Sequence, residues 1–214
     1  MSLAMALPVG AAAQAPQTPH DAHRLHGDSN EYIAALEDPK RDAYQKPEEV
    51  LKALDVKRGE VIADIGAGSG YFALRLAAQV GREGHVYAVD VNPDMIRHLN
   101  RRVRDAGLLN ISAILSAADD PFLPQAVDRF LFVNVWHHIE DRAGYVARMK
   151  KLLKPAGQIV MIDFHKRDLP VGPPAGMKIS REDLLREMQG HRLKLVREHA
   201  FLPYQYFLVF QRDE

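Results

Sequence analysis

From Val61 onward two patterns take turns along the chain: short, nearly unbroken apolar runs, and longer stretches with apolar residues every third or fourth position. The runs read as strands and the stretches as amphipathic helices. Val61–Ala63, closed by Asp64, forms a first buried strand, and Tyr71 opens the helix after it. His85–Asp90 is a second strand, again ending in an acid. Asn92 and Pro93 then stand as N-cap and first helical position, Met95, Ile96, Leu99 and Val103 supply the stripe, and Gly107 stops the helix. Ile111–Leu115 is a third strand. Asp128–Val135, almost continuously apolar, reads as a central fourth. A helix over Glu140–Leu153 leads to a fifth strand, Gln158–Phe164. Ser180 with Asp183 caps a helix to about Gln189, and Leu193–His199 and Tyr204–Phe210 are the last two strands. Ahead of the first strand, Glu31–Leu36 is a short helix broken at Asp38-Pro39. Pro47–Leu54 follows, with Val50, Leu51 and Leu54 as its apolar face.

Strands alternating with helices predict an α/β fold with a doubly wound, mostly parallel sheet of seven strands. The last connection, Ala200–Pro203, is too short for a parallel crossover, so the final strand must run antiparallel to its predecessor. Ligands of such sheets sit at the carboxyl ends of the strands. There the first strand meets Asp64-x-Gly66-x-Gly68-x-Gly70, where a tight turn and a helix N-terminus bring backbone to a ligand. The dinucleotide fingerprint would need glycine where Tyr71 stands, and no Gly-Lys-Ser/Thr follows as a phosphate-binding loop would require.

The spacing Asp64 to Gly70 resembles motif I of the class I S-adenosylmethionine-dependent methyltransferases. Residues 44–210 are similar to that family as a whole, including the reversed last strand and the run LKPAGQIVMIDF into the fifth strand. The resemblance implies S-adenosylmethionine as cofactor. Asp90, about 20 residues past the glycine loop, would accept the ribose hydroxyls, and Asp64 would hold the methionine ammonium. Gly66, Ala67, Gly68 and Gly70 would offer backbone, and Val91 and Met95 would sandwich the adenine. The family's common Gly-Asp pair after the third strand is replaced by Ser116-Ala117, which leaves Ala118 and Asp119 for the adenine amino group. Asn134 matches a position that meets the cofactor, and Tyr44 and Gln45 would cover it.

Composition narrows the partners. The 214 residues carry 28 Lys+Arg and 28 Asp+Glu, so no net charge points to nucleic acid. Arg97, Arg101, Arg102 and Arg104 read as a solvated helix face. No cysteine is present, which excludes disulfides, thiolate metal sites and thiol nucleophiles. No apolar run reaches the ~20 residues that span a bilayer. Residues 31–214 suit one methyltransferase domain, with residues 1–30 as a loose leader. Leu3–Ala13 and Ala13-Gln14-Ala15 resemble a truncated signal peptide without its basic start. A disordered Pro/Ala-rich segment is the other reading, and a methyl donor made in the cytoplasm favours that compartment over export. His20, His23 and His26 recur at helical spacing in a solvated stretch, and no metal is expected.

Methyl transfer needs alignment and exclusion of water, plus a base only where the acceptor must lose a proton. His137, His138, Asp163, His165 and Lys166 lie on the active face, and His138 is the candidate base, with a packing role for the His-His pair as the alternative. Residues 167–178, the tail 201–206 and the N-terminal segment are expected to form a pocket for a small-molecule acceptor. Two further functions remain open: cofactor binding without transfer, and nicotinamide-dependent redox chemistry, which Tyr71 and Asp64 oppose. None of these patterns speaks to oligomeric state.

Overall fold

The computed structural model describes residues 29–213; the leader up to residue 28, with His20, His23 and His26, lies outside the described residues, and Ser29 and Asn30 already belong to the first helix. Seven strands form one sheet in the order β3-β2-β1-β4-β5-β7-β6. They are β1 (Val61–Ile65), β2 (His85–Asp90), β3 (Ile111–Leu115), β4 (Val127–Val133), β5 (Leu153–Phe164), β6 (Leu193–His199) and β7 (Gln205–Arg212). The first five pair in parallel, and β7 runs antiparallel to both β5 and β6, as the short last connection requires. The helices are α1 (Ser29–Glu37), α2 (Asp42–Gln45), α3 (Pro47–Leu54), α4 (Ala73–Val80), α5 (Pro93–Asp105), α6 (Arg142–Leu152) and α7 (Arg181–Gly190).

Strand side chains point alternately to the two faces, and both faces are covered. Ile62, Val86, Ala88 and Leu131 join α3 and α4 in one core, while Ala63, Ile65, Phe130 and Phe132 join α6 and α7 in the other. In the second core, Phe132, Trp136 and Tyr145 meet edge to face, with centroids 5.3–6.3 Å apart. Each ring so buried contributes roughly 1.5–3 kcal/mol.

Several boundaries differ from the sequence reading, each for a local reason. The helix after the glycine loop begins at Ala73 rather than Tyr71, because the turn through Gly70, at φ 85°, carries on through Tyr71 and Phe72. β4 ends at Val133 because Asn134 takes φ 59° and leaves the strand. β5 starts at Leu153, and the pairing of β4 with β5 then slips around 154–157, where Pro155 has no N–H to give the ladder. α6 starts at Arg142 rather than Glu140 because Asp141 caps it, accepting the Gly144 N–H at 2.9 Å. Asn92 and Ser180 cap α5 and α7 as expected.

What this fold does for a ligand is set at β1. Its neighbours β2 and β4 belong to opposite windings, so the strand order reverses there and a crevice opens at the carboxyl ends.

Candidate active site

The crevice is a cavity of about 390 Å³. Of the residues expected to bind the cofactor, Asp64, Gly66, Ala67 and Gly68 line it from β1 and its loop. Asp90 and Val91 line it from the end of β2, and Asn134 and His138 from beyond β4. Six expected residues stand outside its walls. Tyr44 packs against Phe164 and Tyr204 instead, and Gln45 is buried beside the cavity. Gly70 closes the loop from behind, its N–H donating to the Ala67 carbonyl at 2.9 Å. Met95 is fully buried. Ala118 and Asp119 belong to a turn tied away by Arg148, whose Nη2 lies 3.0 Å from the Asp119 carboxylate.

Two glycines are required by contacts as well as by φ. A Cβ on Gly66, at φ 67°, would lie 2.3 Å from Val135 Cγ2, and one on Gly68, at φ 54°, would lie 2.9 Å from Leu36 Cδ1. The loop is thereby pressed between β4's exit and α1. Asp90 fastens it on the third side: its Oδ2 accepts the Gly68 N–H at 2.8 Å and its Oδ1 accepts the Asn92 N–H at 2.9 Å.

Asp64 is the electrostatic centre. It is 3% exposed. Burial, and then the charge of Asp90, push its carboxyl up to about 7, against a backbone hydrogen bond from Ala73 that lowers it. Two carboxylates facing one cavity call for a cation and for hydroxyl donors. Ser69, another wall residue, keeps a buried Oγ without a protein partner. A ligand carrying an ammonium group and ribose hydroxyls therefore fits the donors and acceptors present.

Sequence reasoning missed the roof. Tyr32 and Leu36 of α1, then Arg41, reach the cavity. Tyr32's phenol is raised by burial and then by the charge of Asp90. Tyr71 of the glycine loop is gripped on its ring by two guanidinium groups, Arg41 at 4.5 Å and Arg75 at 4.4 Å, and its O–H donates to Asp42. Arg102 is also more than a solvated charge. It pairs with Glu37 of α1 at 3.0 Å and donates to the Ser69 carbonyl at 2.9 Å, joining roof and loop. The signal in the sequence was the short stripe Tyr32, Ile33 and Leu36 at helical spacing, each half-buried in the fold, which marks a packed helix without saying what it covers.

Among the candidate bases only His138 lines the cavity. His137 turns inward, its Nδ1 lying 3.0 and 3.1 Å from the two oxygens of buried Asp163, with its ring 4.2 Å from that of His138. The segments 167–178 and 201–206 do not wall this cavity. Lys178 is buried and donates to the Arg167 carbonyl at 2.8 Å, which folds that loop onto itself. Among the described residues no cluster of three or more ligating side chains could hold a metal, and no helix is long and apolar enough to cross a membrane. A second cavity, about 280 Å³, lies at the amino ends of the strands. Three ion pairs lie within its walls, Lys57 with Asp55, Arg129 with Glu60 and Lys154 with Asp128, and Arg197 stands beside them.

Comparison with known proteins agrees with this geometry. Residues 62–157 match a family model described as a methyltransferase domain. The ubiquinone/menaquinone biosynthesis C-methyltransferase UbiE of Bordetella parapertussis is 34% identical over 122 residues, covering 55% of this chain and 46% of the relative. The demethylmenaquinone methyltransferase of Listeria welshimeri is 27% identical over 123 residues, 57% of this chain and 52% of the relative. The chain thus spans about half the length of the curated relatives it matches. A crystal structure of an S-adenosylmethionine-dependent methyltransferase from Aquifex aeolicus superposes with a TM-score of 0.79 at 26% identity, covering 86% of this chain and 97% of that one. With motif, topology and cavity in agreement, residues 62–157 form a methyltransferase domain, and the chain has the class I S-adenosylmethionine-dependent methyltransferase fold, with S-adenosylmethionine as the cofactor its cavity fits.

Proposed function

We propose that this protein transfers the methyl group of S-adenosylmethionine to a small-molecule acceptor, a hydroxyl-bearing ring of the quinol type. The observation that carries the reading is the pair Asp64 and Asp90 on one cavity, one buried and raised, the other bound to the glycine loop. Asp90 holds the ribose hydroxyls, Asp64 the ammonium, and Val91 meets the adenine. When bound, the cofactor supplies an electrophilic methyl on a sulfonium, and the protein's share is alignment and dryness. Val133, Val135, Tyr32 and Leu36 exclude water from the cavity. His138, at the rim, would accept the proton of an acceptor hydroxyl. A ring carbon of the resulting phenolate would then take the methyl as its bond to sulfur breaks; S-adenosylhomocysteine would leave, and the displaced ring proton would go to solvent. The quinone-related names of the relatives support this acceptor class, and the cavity's apolar wall suits a ring. We place the reaction in the cytoplasm, where the methyl donor is made.

Calorimetry with S-adenosylmethionine and S-adenosylhomocysteine, followed by labelled methyl transfer to a panel of demethylated hydroquinones, tests the proposal. Transfer to a ring acceptor is expected, and His138→Ala should slow it at saturating acceptor. Binding without transfer to any of the panel would return the protein to a role in cofactor binding alone.

A further inference from the structure

Three side-chain amides from distant parts of the chain meet beside the cavity. Gln205, the first residue of β7, donates from Nε2 to Asn134 Oδ1 at 2.7 Å and to Gln45 Oε1 at 3.0 Å. Gln45 and Gln205 are each 1% exposed, while Asn134 reaches the cavity wall. Two bonds use both donors of the Gln205 amide. They leave Gln205 Oε1 and Gln45 Nε2 buried without partners. They also occupy the oxygen of Asn134, so its amide nitrogen is what Asn134 offers the cavity.

The opposite arrangement would keep the same number of bonds. With all three amides turned, Gln205 Oε1 would accept from Gln45 Nε2 and from Asn134 Nδ2, and Asn134 would show its oxygen to the cavity. The two states are equal in hydrogen bonds and opposite in polarity, so the group Asn134 shows the cavity is coupled to the orientation of the Gln205 amide, and the structure holds the state in which Asn134 shows its nitrogen.

Position says which end of the cofactor is concerned. Asp90 ends β2, Asp64 lies in β1, and Asn134 follows β4 on the far side of β1. With ribose at Asp90 and ammonium at Asp64, the next group along that line is the carboxylate borne by the same carbon as the ammonium. We propose that Gln205 is a positioning residue that makes Asn134 present its N–H to the carboxylate of the cofactor's amino-acid end. This rests on the assignment of Asp64 and Asp90 given above. The φ of 59° at Asn134 leaves few residues able to stand there, and Asn is one of them.

Gln205→Glu tests it with a side chain of the same shape that only accepts. The introduced carboxylate forces Asn134 to donate inward and to turn its oxygen to the cavity. Asn134→Asp, which tolerates the same φ, places an acceptor there directly. Affinities for S-adenosylhomocysteine and for 5′-methylthioadenosine, which lacks the amino-acid end, are compared by calorimetry. Both variants are expected to lose about tenfold or more for S-adenosylhomocysteine while holding 5′-methylthioadenosine within about twofold, the size of one charge-assisted hydrogen bond. Unchanged S-adenosylhomocysteine affinity, or a parallel loss for both ligands, would overturn the proposal. Should Gln205→Glu fail to fold by circular dichroism, Asn134→Asp decides alone. If the wild type binds neither ligand, the cofactor assignment fails first and this inference with it.

Discussion

Gly68 and Asp90 are joined by a 2.8 Å hydrogen bond from backbone N–H to carboxylate Oδ2, so the acid proposed to serve the ribose also fixes the glycine loop. Asp90→Ala should therefore remove a ligand contact and a loop restraint together. Hydrogen bonds to a charged group contribute about 1.5–3 kcal/mol each, which sets the expected loss of S-adenosylhomocysteine affinity at about 100-fold. The cores on both faces of the sheet do not include Asp90, and the far-ultraviolet circular dichroism should be unchanged. Affinity within threefold of the wild type would show that the carboxylate holds the loop and nothing else.

Gly66→Ala carries two separable penalties. The left-handed φ of 67° costs a Cβ-bearing residue about 1–2 kcal/mol, and the contact 2.3 Å from Val135 Cγ2 adds overpacking of about 1–3 kcal/mol. A fall in melting temperature of about 4–20 °C follows for a domain of this size. Adding Val135→Ala should restore the contact part and leave the backbone part, so the double variant should melt between the other two. Equal melting of single and double variants would place the whole effect in the backbone.

Much of this was legible in the chain because polar residues and turn formers bracket the apolar runs. β2, β3 and β6 begin and end at the residues the pattern marks, and the short connection before β7 dictates its direction. The first cavity acids were legible because each closes a strand. What the pattern could not carry were positions settled by distant partners. Asp119 is claimed by Arg148 of α6. Tyr32 and Arg41 enter the site from a short segment whose apolar stripe does not say what it covers, and Gln45, Asn134 and Gln205 meet only once the sheet is assembled. Met95 is the other case: its place on the stripe of α5 already marked it for the interior.

Glu37 ties the roof to the body of the domain, with its carboxylate 2.7 Å from His98 and 3.0 Å from Arg102 of α5. All three side chains keep contact with solvent, so the pairs add little to global stability, about 0–1 kcal/mol. Their effect belongs to closure: α1 has no fully buried residue, only the half-buried Tyr32, Ile33 and Leu36, so these polar contacts help to hold it over the cavity. Glu37→Ala should leave the melting temperature within about 2 °C and speed release of S-adenosylhomocysteine about two- to fivefold in stopped flow. An unchanged release rate with wild-type affinity would mean that α1 does not gate the cavity.

Asp64 gives cofactor binding a pH dependence whose sign is fixed by its surroundings. Burial first, and the charge of Asp90 second, raise its carboxyl to about 7 in the unliganded fold from an ordinary 3.8. A group raised in the folded state contributes stability that is complete below the unfolded value and is lost as pH climbs through the folded one. The unliganded wild type should therefore lose stability relative to Asp64→Asn between about pH 4 and 7, by a few kcal/mol at most. The cofactor's ammonium reverses the balance, because it prefers the carboxylate form. Binding should then release a proton near neutrality, and affinity should rise from about pH 6 to 8 before levelling. Calorimetry in buffers of different ionisation enthalpy counts that proton directly. In Asp64→Asn the released proton should vanish along with most of the affinity. A proton count that survives in the variant would assign the titration to another group on the cavity.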